Sequence, residues 1–324
     1  THGAGGYTSS SDLKRLNRRS EQLGVAAESG AAMADWLGAV DYPKYQLTEA
    51  YRRFIWHQFH DDLPGTCIVD AYTFTWNDQM LSQNQFASII GSSVAGITTA
   101  MDTKSKAGIV TAVYNPVSAA NKDIVTLKLN FPSKYRSVKV IAPNGRTVPS
   151  QIISRDKAQA IIAFAPSDPS MSVNIYDIIP QTATQANNSG LKVEGNEMEN
   201  AIYKLKVNDN GDICSLIDKR NGKGLVKKGQ AFSLVAFPND KSDNWPAWEI
   251  LKSVIDQKPV TVNQAVKIST ESEGPLMAIL KIEKSYGSSK FTQRIILTSG
   301  AEDDRIDIKT NVDWQSMNTL LKAS

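Results

Sequence analysis

The sequence predicts an α+β multidomain protein, an antiparallel three-helix bundle followed by all-β sandwich domains. Three observations carry this. Up to Met101, apolar residues recur every third or fourth position, the period of one helix face. After Asp102-Thr103-Lys104 the period drops to two. From there turn-forming residues interrupt the chain every ~10 residues, the spacing of sandwich strands.

The 324 residues exceed what one hydrophobic core usually spans, so several domains are expected, at 1–104, 105–185 and 190–324. A chain 41% hydrophobic and 21% charged has the make-up of a soluble globular protein. Net charge is only +3 with no basic block, which argues against nucleic acid or an anionic membrane as partner. No apolar run approaches the ~18 residues of a membrane span. The chain starts without Met or a signal peptide and stops just after a strand-like run. It is therefore expected to be a piece of a longer protein, and its compartment is not readable.

Ser10, Ser11 or Asp12 can cap a first helix. Leu13, Leu16, Ser20, Leu23, Ala27, Gly30 or Ala31, Ala34 and Leu37 then form one stripe over 11–39. The stripe is rich in small residues, which admits a close neighbour helix. Asp41-Tyr42-Pro43 breaks it. A second helix is expected over 47–60 with Thr48 as a cap, ended by Leu63-Pro64-Gly65-Thr66. A third runs over 68–101, with Ala71 or Tyr72, Met80, Phe86, Ile89 or Ile90, Val94, Ile97 and Met101 as its stripe. Short connections between long helices suggest the bundle. Strand-like runs follow at 109–114, 124–129, 138–141, 151–154, 160–164 and 172–176. A polar linker at 181–190 precedes a second series at 201–207, 213–217, 231–237, 260–269, 276–286, 291–298 and 305–313. Asn208-Asp209-Asn210-Gly211 is its hairpin turn.

The densest cluster of titratable groups is Trp56-His57-Gln58-Phe59-His60-Asp61-Asp62. His60 and Asp61 offer a nitrogen and an oxygen donor of the kind that holds Zn²⁺. The competing role for His60 is a capping histidine bonded to a backbone carbonyl. A full site needs three or four ligands, and the remaining histidines are only His57 and His2. His57 is expected to be a partly buried bundle histidine, and Asp62 part of a solvated acidic turn. Trp245 and Trp248, in Asn244-Trp245-Pro246-Ala247-Trp248-Glu249, can stack on a sugar ring or pack as an aromatic pair at a sandwich edge. Cys67 and Cys214 are expected to be free buried thiols. Gly3-Ala4-Gly5-Gly6 lacks the Lys-Ser/Thr ending of a phosphate loop.

Gln58-Phe59-His60-Asp61-Asp62-Leu63-Pro64-Gly65-Thr66 resembles the signature of glycoside hydrolase family 38, the retaining α-mannosidases. Tyr7-Thr8-Ser9 followed by Lys14-Arg15-Leu16-Asn17-Arg18 resembles the family's approach to its helical bundle. Ala27-Glu28, Tyr114-Asn115-Pro116, the 244–250 loop and Val312-Asp313-Trp314 with Leu320-Leu321-Lys322 match further segments in order. The resemblance implies a layout of N-terminal β/α barrel, three-helix bundle and β-sandwiches, the last galactose mutarotase-like, of which this chain lacks the barrel.

It also implies roles. His60 is the bundle ligand of a zinc site completed by the barrel, and Asp61 holds sugar hydroxyls beside the metal. Tyr7, Trp245 and Trp248 join as sugar contacts. The nucleophile and acid/base carboxylates lie on the barrel, and the mechanism is double displacement. The implied partners are an α-mannoside oligosaccharide and the barrel of the same chain, with a homo-oligomer left open. The alternative is a carbohydrate-binding or structural module without catalysis. Two departures stand out: Pro246 where the loop usually has Asp, and Asp62 where an aliphatic residue is usual.

Overall fold

A computed structural model describes residues 3–103, 107–120, 123–187, 189–299 and 305–324, leaving His2 outside. Three long helices come first and antiparallel sheets follow, as the change of period predicts. The chain separates into two compact units. The first comprises Thr1–Lys122, Ser167–Asp177 and Ser242–Lys252, and the second Asp123–Pro166, Ile178–Lys241 and Ser253–Ser324.

In the first unit, α1 spans Ser11–Trp36, α2 Lys44–Trp56 and α3 Val69–Thr99. α1 buries Leu13, Asn17, Ser20, Gly24, Ala27, Gly30, Ala31 and Ala34, so the small-residue stripe does face its neighbours. A Cβ on Gly24 would meet the Tyr51 hydroxyl oxygen at 2.8 Å. The missing side chain is what lets the Tyr51 ring lie against α1 and meet Phe86 edge-on, with centroids 5.0 Å apart.

The bundle has two kinds of interior. Ala27, Ala31, Leu47, Ala50, Phe86 and Ile89 form an apolar cluster. Elsewhere α3 buries Thr75, Gln79, Ser82 and Gln83, where the apolar stripe had put Met80, which is exposed. Those polar groups are paired: Ser20 Oγ donates to Gln79 Oε1 (2.8 Å), Ser82 Oγ to the Ala50 carbonyl (2.8 Å) and Gln83 Nε2 to the Leu16 carbonyl (3.1 Å). Burial without partners would cost too much to tolerate.

Helix ends differ from expectation. α2 starts directly after Pro43, whose fixed φ suits a helix start, so Thr48 lies inside and donates to the Lys44 carbonyl. It stops at Trp56 because the amides of His57, Gln58 and Phe59 tighten to three-residue bonds on Phe54, Ile55 and Trp56. Ser10 precedes α1 in a left-handed conformation (φ 46°) and its hydroxyl makes no cap. Among the described residues no helix is long and apolar enough to cross a membrane.

In the second unit, the sheet Lys223–Gly224, Ile213–Asp218, Tyr203–Val207, Glu197–Glu199, Lys192–Glu194 packs on the sheet Gln264–Glu273, Met277–Tyr286, Ser289–Thr298, Asp307–Asp313. Met198, Leu205, Val207 and Ile213 meet Leu280, Ile282, Ile295 and Leu297 between them. Alternate residues Met277, Ile279 and Ile296 point the other way, to Ala163 of a three-stranded sheet, so the period of two serves two cores. Gln151 joins these layers: its amide donates to Ser272 Oγ and the Met277 carbonyl and accepts from the Leu276 and Met277 amides. The expected hairpin turn forms with Gly211 at φ 75°. The expected strand 260–269 divides into Val260–Thr261 and Gln264–Glu273, with Ala265 bulged at φ 50°. Thr319–Ala323 is a further strand, paired to Leu234–Pro238.

Candidate metal and sugar site

His60 and Asp61 sit on the turn after α2. The His60 side chain is 78% exposed and that of Asp61 36%, with Nε2 3.4 Å from Oδ2. His60 therefore caps no helix; its ring instead leans on Phe59, with centroids 4.1 Å apart. Thr66 Oγ1 donates to Asp61 Oδ1 (3.1 Å) and to the Asp61 carbonyl (3.2 Å), which fixes one carboxylate oxygen and leaves the other beside the imidazole.

The turn is stitched to its surroundings by residues of the motifs quoted above. Lys14 Nζ donates to the carbonyls of Ser9 (2.5 Å) and Leu63 (3.0 Å). One helical turn on, Asn17 Oδ1 accepts from Gln58 Nε2 (3.2 Å). Burial lowers the pKa of Lys14, with Asp12 opposing. Gly65 takes φ 82°, and a Cβ there would lie 2.8 Å from the Ser9 carbonyl oxygen. Lys14, Asn17, Thr66 and Gly65 were missed as site residues; their spacing in the motifs was the available signal.

The 244–250 loop belongs to this same unit. The Trp248 carbonyl accepts from the Gly5 amide (2.9 Å) and the Ala247 carbonyl from Ser9 Oγ (2.6 Å). Ser242 Oγ donates to Glu249 Oε2 (2.6 Å) and accepts from the Trp245 amide (3.1 Å), closing the loop. Trp245 and Trp248 stack on each other, with centroids 5.4 Å apart and planes at 25°. Trp245 stays half-exposed and Tyr7, on the 3₁₀ turn Ala4–Tyr7, almost fully so.

Two expectations are corrected. Asp62 is not a solvated turn residue: it is buried, accepting from Thr75 Oγ1 (2.5 Å) and contacting His57 Nδ1 (2.6 Å). Cys67 and Cys214 are free but only half-buried. Burial and the neighbouring Asp62 and Asp61 carboxylates push the Cys67 thiol up, away from the thiolate that binds metal.

A metal needs more donors than this turn supplies. Among the described residues no group of three or more His, Cys, Asp or Glu side chains could hold one. His60 and Asp61 fit as part of a donor set, one nitrogen and one oxygen, both open to a partner.

Residues 198–324 match the glycosyl hydrolases family 38 C-terminal domain, and residues 2–96 the alpha mannosidase middle domain. The chain belongs to glycoside hydrolase family 38. Alpha-mannosidase 2C1 of Mus musculus is 23% identical over 98% of the chain, and the alpha-mannosidase of Saccharomyces cerevisiae likewise 23% over 98%. The chain spans only 28% and 26% of the length of those two relatives. The crystal structure of an alpha-mannosidase from Enterococcus faecalis V583 shares the fold, with a TM-score of 0.76 at 17% identity, covering 99% of this chain and 43% of that one.

Proposed function

We propose that the whole protein is a retaining α-mannosidase hydrolysing terminal α-mannosidic bonds, and that this segment supplies one metal ligand and sugar contacts. The observation that carries the reading is the outward-facing His60–Asp61 pair, exposed at the end of a family 38 bundle. Zinc, when bound, supplies a Lewis acid that takes sugar hydroxyls. His60 offers its imidazole nitrogen to that ion. Asp61, with one oxygen held by Thr66, accepts a hydroxyl with the other. Trp245 offers a half-exposed indole to a sugar face and Tyr7 a free phenol to its rim. The ion's remaining ligands, the nucleophile and the acid/base carboxylate come from a barrel domain of the same protein. The division into bundle (1–104), small sandwich (105–185) and the start of a large sandwich (190–324) is part of this reading.

The test is aryl α-mannoside hydrolysis and zinc content of the full-length protein with and without His60→Ala. Loss of a direct ligand should exceed the ~10–100-fold typical of groups that merely support a ligand. Retention of both activity and zinc would leave the segment as a carbohydrate-binding or structural module. The isolated chain should neither hydrolyse mannosides nor bind zinc tightly.

A further inference from the structure

His57 and Asp62 flank the turn that carries His60 and Asp61, and neither has a place in the chemistry above. Their side chains are 5% and 11% exposed, with Nδ1 and Oδ2 2.6 Å apart. The pair is the centre of a longer chain of contacts. Asp62 Oδ1 accepts from Thr75 Oγ1 of α3. His57 Nε2 lies 3.3 Å from Asp78 Oδ2, also on α3, and Asp78 Oδ1 accepts from Arg53 of α2 (3.3 Å). Both ring nitrogens thus lie against carboxylate oxygens, which fixes the ring between the two helices.

The consequence is geometric. Four residues, Gln58 to Asp61, lie between two side chains that meet in the interior. With both ends clamped inward, the intervening peptide has to project outward. Charge-assisted bonds in a water-poor site hold that closure more firmly than exposed ones would. Asp62 stands where the family usually has an aliphatic residue, and here the interior supplies the partners its carboxylate needs. We propose that His57 and Asp62 are positioning residues for the candidate site, their buried pair, braced by Thr75 and Asp78, setting the turn that presents His60 and Asp61. This rests on the metal and sugar reading of those two residues.

The test uses the full-length protein, comparing Asp62→Ala with wild type and His60→Ala. Two readouts are taken on folded protein: amide hydrogen exchange across 58–61, and zinc affinity by competition with a chelator. Asp62→Ala should speed exchange in the turn at least ~10-fold while bundle-core amides stay protected, and weaken zinc by ~10–100-fold. Mannosidase activity should then return with excess zinc. Unchanged exchange in the turn, or unchanged zinc affinity while His60→Ala abolishes binding, overturns the proposal. If His60→Ala itself leaves zinc binding intact, the site reading fails and the proposal falls with it. Should Asp62→Ala fail to fold, Thr75→Val, which deletes only the bracing hydroxyl, is read by the same criteria.

Discussion

Within six residues the chain places two His–Asp pairs with opposite surroundings. His57 and Asp62 meet at 2.6 Å inside the bundle, with both ring nitrogens and both carboxylate oxygens engaged. His60 and Asp61 lie 3.4 Å apart on the surface, with one carboxylate oxygen tied and the imidazole open. The residue types are the same, so chemistry alone does not assign a role. What separates the pairs is how many of their bonds the fold has already used. A saturated buried pair can hold geometry but has nothing left for a ligand. An open pair contributes little to folding and keeps its donors available.

The largest effect should come from breaking the buried pair. Asp62→Ala leaves the His57 imidazole against Asp78 with one partner gone, and Thr75 Oγ1 with only its longer bond to the Ala71 carbonyl (3.3 Å). Leaving a buried hydrogen-bonding partner unsatisfied typically costs about 1–3 kcal/mol, and more where the bond was to a charged group. Urea unfolding of this chain should show a loss of that order. A loss under ~1 kcal/mol, the scale of exposed pairs, would mean that water reaches this end of the bundle and would erase the contrast.

How far the two pairs were legible in sequence follows from the same physics. The helices and strands declared themselves because their buried faces are periodic, and the turn declared itself through its density of titratable residues. His57 reads from sequence as a bundle histidine and is buried; its partner Asp62 was not legible, because one tightened turn that the helical pattern runs straight through brings that carboxylate back to the ring. Expecting α2 to reach His60 left Asp62 outside the interior. The polar interior of α3 was equally hidden: Thr75, Gln79 and Gln83 read as a solvent face until Asp62 is set against the first and Ser20 and the Leu16 carbonyl against the other two. The Trp245–Trp248 loop was placed with the sandwich by position in the chain, whereas its carbonyls accept from Gly5 and Ser9. Contacts across more than 200 positions leave no periodic trace.

A second buried pair sharpens what burial alone does. Lys284 Nζ meets Asp212 Oδ1 at 2.9 Å in the second unit, with both side chains almost wholly buried. Burial raises the Asp212 pKa above its ordinary value, and the Lys284 charge and hydrogen bond only partly offset this. The sign follows: the folded state holds this proton more tightly than the unfolded one. Its contribution to stability is full below the unfolded value of 3.8 and is lost as pH rises through the folded one. Asp212→Leu with Lys284→Met should flatten that segment of the stability–pH curve. At neutral pH the double variant should be neutral or more stable by about 1–4 kcal/mol, since apolar replacements often outperform a buried pair. A large loss would mean that Lys284–Asp212 resembles the bundle's clamp more than a desolvated charge pair.

The smallest effect belongs to the open pair. Among the described residues the contacts of His60 are with Asp61, 3.4 Å away, and with the ring of the exposed Phe59, and neither holds the turn to the bundle. His60→Ala should therefore shift unfolding by no more than about 0.5 kcal/mol, as surface substitutions generally do. The same change is expected to remove most activity and zinc from the full-length protein, so stability and function should part company at this residue. Combined with Asp62→Ala, the stability losses should add, because among the described residues no hydrogen bond of one residue runs through the other's side chain and coupling needs a shared partner. Measured non-additivity beyond about 0.5 kcal/mol would show that the two pairs communicate through the turn's backbone even without a bound ion, and that the surface pair shares in holding the geometry that the buried pair sets.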